Sequence, residues 1–272
     1  MNNVSDTNDS INTWKDEYGV VYSLNRKRLI RANPSLGLVS YNILDGTEII
    51  EEHAFDFCHS LNEIDLPESL SVIGSFAFIG CHSLKTIRIP QSLKVIRQGA
   101  FEECTSLNNL FIPNNTIFEI AQDTFRRCIS LQATVIPESV DTIAEYAFCL
   151  CSNLESIVLP TSLRYIRKNA FMGCKIKSLI IPSGIVDIEA NAFCSCEHLT
   201  DVYIPQTISY IKKGVFANCY SLQQIVFSGR LIQIENDAFD RCNSLQRIVV
   251  PSSLIDYYVK SFPAYKELYS VL

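Results

Sequence analysis

No stretch of the chain approaches the length needed to span a bilayer as an apolar helix, which takes about 20 residues. Residues Met1 to Val20 are polar and lack the apolar centre of a secretory signal, so the expected location is the cytoplasm. No segment is strongly basic and the formal net charge is −6, which leaves nucleic acid and anionic membranes without an electrostatic footprint. The longest basic cluster, Arg26-Lys27-Arg28 with Arg31, reads as a solvated turn. Neither a hydrolase elbow, a phosphate loop nor a paired-carboxylate motif is present, so no catalytic residue and no cofactor is expected, and the chain does not read as an enzyme. The cysteines form no C-x-x-C pair and have no histidine partner at metal-ligand spacing, so no metal site is expected either.

What the chain does contain is a ruler. Phe55, Phe78, Phe101, Phe125, Phe148, Phe171, Phe193, Phe216, Phe239 and Phe262 follow one another at intervals of 22 to 24 residues. A period that steady means one structural unit stacked on copies of itself. Three residues after the phenylalanine comes a cysteine: Cys58, Cys81, Cys104, Cys128, Cys151, Cys174, Cys196, Cys219 and Cys242. A leucine follows at six, mostly β-branched residues at nine and eleven, and a proline at twelve, as in Ser83-Leu84-Lys85-Thr86-Ile87-Arg88-Ile89-Pro90. Alternation at 87 and 89 is the signature of a half-buried strand, and proline, which cannot donate to a ladder, ends it. A second apolar pair such as Leu93 and Ile96 returns to the core from the opposite wall. The segment around each phenylalanine then has room for about one turn with Phe and Cys pointing inward.

These L-x-x-I-x-I-P…I-x-x-x-A-F-x-x-C units resemble the BspA-like, or Treponema-type, bacterial leucine-rich repeat found in surface-antigen proteins. The resemblance spans about residues 36 to 262. It implies a curved right-handed solenoid with a parallel sheet on the concave side and short turns or strands on the convex side. It also implies a non-catalytic module for protein binding or adhesion, displayed at the cell surface or secreted, with no catalytic residues to carry over.

Four regions are expected. Residues 1–10, rich in Asn, Ser and Asp, should be disordered. Residues 11–35 should form a β-hairpin capping the open end of the solenoid, with Gly19 to Ser23 and Arg28 to Arg31 flanking a polar turn at Asn25. Residues 36–262 form the repeats, with Leu38, Tyr41 and Ile43 as a degenerate first rung, and 263–272 a C-terminal cap. About ten strands would stack to about 45–50 Å. One coil is shortened between Cys174 and Ile176, and another carries an extra residue around Asn114-Asn115.

Cysteines in one repeat register lie about 5 Å apart with parallel Cβ vectors, whereas a disulfide wants Cβ atoms near 3.8 Å, so the column reads as buried free thiols. His59 and His82 share a position in adjacent units and should be near neighbours.

One column is not required by the core. Ten residues after each phenylalanine, one fewer in the shortened coil, stand Asp65, Arg88, Phe111, Val135, Val158, Ile180, Tyr203, Val226 and Val249. These side chains should point outward from the concave sheet, and the last seven are apolar. Two explanations fit: β-branched residues suit a parallel strand and cover one another, or the stripe, with polar residues beside it, is a binding surface. Phe111 and Tyr203 favour binding, because aromatic residues are enriched among interface anchors. The expected partner is a protein; carbohydrate or cell-wall binding on the same face, and self-association through the stripe, are the alternatives.

Overall fold

The computed structural model describes residues 12–114 and 116–272. The stretch 1–10, expected to be disordered, lies outside them, as does Asn115 of the lengthened coil. The chain winds as a parallel β-solenoid of about eleven turns with little helix. One coil shows how the sequence does this. In the strand Thr86–Arg88, Ile87 is buried while Thr86 and Arg88 face solvent. The Pro90 carbonyl then accepts the Leu93 N–H at 3.2 Å, so the proline opens a turn as well as ending a strand. The two-residue strand Val95–Ile96 turns Ile96 inward on the second wall. The third side is built of turns that carry the phenylalanine and the cysteine.

Concave strands run from Ser40–Asn42 to Tyr269–Val271, eleven in all where about ten were expected. Their ladder is not one continuous sheet. Two gaps, between Asn109–Phe111 and Ala133–Val135 and between Ser156–Val158 and Ser178–Ile180, fall across the lengthened and shortened coils. One residue more or fewer shifts the strand ends past each other, and the shared hydrogen bonds lapse. A third gap, between Glu63–Asp65 and Thr86–Arg88, is bridged at its mouth by the Lys85 N–H donating to the Asn62 carbonyl at 3.1 Å.

The expected N-terminal hairpin is present and has a third strand. Thr13–Lys15 and Val21–Ser23 are antiparallel, and so are Val21–Ser23 and Arg28–Arg31. Arg28–Arg31 then pairs in parallel with Ile49–Ile50, so the cap prolongs the second wall. Tyr22 joins it to the first rung through a 2.6 Å hydrogen bond between its hydroxyl and that of Tyr41, which in turn donates to Asp16.

Phenylalanines 55 to 239 form a single stack. Successive rings lie 5.1–5.9 Å apart with planes within 21° of parallel. Tyr41 leans on Phe55 at one end, and Tyr265 meets Phe239 edge-on at 86° at the other. Phe262, the tenth mark of the ruler, is not in the stack; it packs on Tyr257 and Tyr258. The cause is the helix Ile255–Ser261. A helix advances about 1.5 Å per residue against about 3.3 Å in a strand, so the residue one period after Phe239 falls short of the column. The 3-10 turn Pro263–Leu268 then places Tyr265 over the end.

Thirteen residues other than glycine take a left-handed backbone two positions before or after a stacked phenylalanine, among them His53, Phe76, Tyr146 and Leu150. Such a residue costs roughly 1–2 kcal/mol. The return is a doubled set of hydrogen bonds. His53, Phe55 and Phe57 donate their N–H groups to carbonyls of the next coil, while Ala54, Asp56 and Cys58 donate three residues back. Two of the glycines at these positions have a second duty. The Phe76 ring lies over Gly99 so closely that a Cβ there would sit 2.3 Å from it, and Phe57 covers Gly80 in the same way.

Candidate functional site

Alternation along each concave strand turns one residue inward and its neighbours outward. Leu110, Thr134, Ile157, Leu179 and Val202 point to the interior, leaving Phe111, Val135, Val158, Ile180 and Tyr203 on the face. Their exposures are 61%, 65%, 55%, 71% and 42%. At about 4.8 Å per rung, the five span about 20 Å. Small side chains, Ala133, Ser156 and Ser178, stand beside the middle of the stripe and leave its flank open.

Val226 and Val249, expected to continue the stripe, are buried at 6% and 4% exposure. They lie in the unbroken part of the ladder, Val226 between Tyr203 and Val249, and Val249 between Val226 and Ser270 of the final strand. The solvent-facing stripe therefore has five rungs where seven were expected. At its edge Glu155 is gripped by Lys175 at 2.8 Å and Lys177 at 2.6 Å. Hydrogen bonds from those two ammonium groups, Lys175 first, hold its carboxyl down at about 2.

All eleven cysteines are free. Their column does more than fill space: from Cys81 to Cys242, each thiol donates to the phenylalanine carbonyl two marks earlier in sequence and one coil before its own, at 3.0–3.3 Å. Sequence reasoning missed this bond, although its trace is there, since a column of alanines would pack as well and donate nothing. Burial pushes buried thiols of the column up, to about 11 in Cys58 and about 12 in Cys196, whereas the hydrogen bond with Cys219 holds the Cys242 thiol down. In the thiols that are pushed up, thiolate, the reactive form, is thereby suppressed.

His59 and His82 are neighbours, stacked at 4.6 Å with planes 17° apart, and His59 Nδ1 lies 2.9 Å from the Gly80 carbonyl. His53 stacks on Phe76 at 5.3 Å. Among the described residues no three His, Cys, Asp or Glu side chains are placed together to hold a metal ion. None of their helices is long and apolar enough to cross a membrane.

Comparison with known proteins gives a consistent result. A family model described as BspA type leucine rich repeat region, in six copies, matches residues 33–153 and 141–268. A leucine rich cell surface protein from Faecalibacterium prausnitzii A2-165 is similar in structure, with a TM-score of 0.61, 21% identity and 90% of each chain covered. A leucine-rich repeat protein from Bacteroides ovatus ATCC 8483 has a TM-score of 0.53 and 20% identity over 95% of this chain and 97% of that one. A third, from Eubacterium ventriosum ATCC 27560, has a TM-score of 0.61 and 22% identity; the match covers 70% of this chain and 51% of that longer one. No curated protein matches.

Proposed function

The chain belongs to the BspA-type leucine-rich repeat family, and from that premise we propose that its concave face docks a partner protein through the five-rung stripe, without catalysis. The observation that carries the proposal is the run of Phe111, Val135, Val158, Ile180 and Tyr203, all exposed on one face of a protein whose other repeat columns are either buried or interrupted by polar side chains. An apolar strip with a polar surround matches the anatomy of a protein interface. Phe111 and Tyr203 stand at its two ends as aromatic anchors. Small flanking residues leave room for a ridge of the partner to settle along the strip.

A double substitution, Val158→Lys with Ile180→Lys, puts two charges in the middle of this surface. Binding of the partner recovered by pull-down from native cells is expected to weaken by about 100-fold, with the thermal melt unchanged. Recovery of the same partner at the same strength overturns the proposal. Light scattering completes the test: a dimer that the double substitution dissociates identifies the partner as a second copy of this chain.

We further place the chain at the cell surface, by analogy with the leucine rich cell surface protein of Faecalibacterium prausnitzii. Nine of the eleven free thiols are buried, and burial pushes thiols such as Cys58 and Cys196 up, which shields them from oxidation at that location. Protease treatment of intact cells is expected to degrade the chain; full protection would assign it to the interior.

A further inference from the structure

Near the N-terminal end of the stripe the concave face changes character. Two adjoining cavities, of 360 and 320 Å³, share Arg88 and Phe111 in their walls. Thr86, Asn108 and Asn109 line the first, and Asp45, Asp65 and Glu68 the second. The first opens at the gap in the ladder after Asn109–Phe111, where Ala133 leaves space beside Asn109.

The polar side chains here are unspent. Elsewhere on the solenoid many polar groups pair from coil to coil: Glu155 with Lys175 and Lys177, Lys212 with Asp187, Arg127 with Glu103, and Ser162 Oγ with the Val140 carbonyl. Among the described residues, the side chains of Asp65, Thr86, Arg88, Asn108 and Asn109 make no hydrogen bond or ion pair, and no aromatic ring packs on Phe111. A guanidinium brings five donors, each amide both donors and an acceptor, and a carboxylate only acceptors. All of this capacity is directed to solvent around one exposed aromatic face.

Charge narrows the ligand. Asp45, Asp65 and Glu68 oppose a phosphate or carboxylate, while Arg88 offsets part of their charge and among the described residues no three acidic, His or Cys side chains converge to hold a metal cation. What fits is a neutral molecule that both donates and accepts hydrogen bonds along its edge and presents C–H groups on a face, the latter suited to the negative face of an aromatic ring. We propose that this end of the concave face is a binding subsite for a neutral saccharide. The ring lies on Phe111; its hydroxyls donate to Asp65 and accept from Arg88 and the Asn108 and Asn109 amides. Cavities of this size are in the range that holds a small ligand.

The subsite shares Phe111 with the stripe, but Arg88 and Asn109 lie outside it, so substitutions at those two residues test the subsite separately from protein docking. Affinity electrophoresis of the whole chain through gels containing a soluble β-glucan, a mannan or oligomers of N-acetylglucosamine tests it, with polygalacturonate as the acidic control. At least one neutral glycan is expected to retard the protein. Arg88→Ala and Asn109→Ala should each reduce that retardation at least about tenfold in apparent affinity, with the melt unchanged since neither side chain has a partner among the described residues. Val158→Lys with Ile180→Lys should leave it unaltered. The proposal is overturned if no neutral glycan retards the chain, if only polygalacturonate does, or if both alanine variants migrate as the parent protein does.

Discussion

Phe148→Ala is expected to destabilise the protein by about 4 kcal/mol and to divide one unfolding transition into two. Phe148 is fully buried between Phe125 at 5.3 Å and Phe171 at 5.4 Å. Truncation removes both stacked pairs and leaves a cavity with stiff walls, because each neighbouring ring is itself fixed by the next. In a stacked array each coil touches only its neighbours, so a weak coil in the middle uncouples the two halves. The chain supplies its own reporter. Its single tryptophan, Trp14, sits in the first strand of the N-terminal cap, under the Arg26 guanidinium at 4.2 Å. In urea, tryptophan fluorescence will follow the N-terminal half while circular dichroism follows the whole. The parent protein should give coincident midpoints and the variant separated ones; coincident curves within about 1 kcal/mol of the parent would falsify the idea of a continuous mechanical column.

Tyr258→Ala should cost about 3–5 kcal/mol, with the damage confined to the C-terminal end. Tyr258 is the one buried residue of the helix Ile255–Ser261. Its hydroxyl donates to the Gly229 carbonyl at 2.6 Å and accepts the Leu231 N–H at 3.3 Å, while its ring lies against Phe227 and Tyr269. Removing it unlocks the cap, so limited proteolysis should cut after the strand Arg247–Val250 well before Trp14 fluorescence changes. Tyr258→Phe keeps the ring but strands two backbone groups, a loss of about 1–3 kcal/mol. Alkali acts on the same residue. Burial raises the phenol to about 12, above the ordinary value near 10. The unfolded chain therefore loses this proton first, and stability falls as pH rises from about 10 towards 12. A C-terminal end equally resistant to protease at pH 8 and pH 11 contradicts that assignment.

The repeat made most of the fold legible. Inward phenylalanines, free cysteines, the returning second wall and the N-terminal hairpin all follow from spacing and polarity. Several features did not show. Many of the left-handed positions are occupied by Phe, Tyr, Leu, Arg and Glu, which announce nothing about backbone; Gly80, Gly99, Gly173 and Gly214 with Asn169, Asn191 and Asn218 at the same marks hint at them. Phe262 keeps the period in sequence and leaves it in space, because spacing counts residues whereas a helix shortens the path they cover. Val226 and Val249 alternate as the exposed residues do, so period alone could not distinguish them. The polar subsite around Arg88 was equally hidden. Asn, Asp and Arg on a solenoid surface are commonplace, and what marks these is their convergence on two adjoining cavities beside Phe111, a property of three dimensions.

The thiol column gives the molecule a direction of growth. Each coil hands one S–H donor back to its predecessor and offers one phenylalanine carbonyl to its successor. Duplicating a gene segment that encodes one such unit therefore adds a donor and an acceptor together, a ring to the stack and a rung to the face, and orphans nothing. Lineages can lengthen or shorten the protein without redesigning either end. Copy number sets how far the face extends, and the codons on either side of the inward strand residue set what most rungs display.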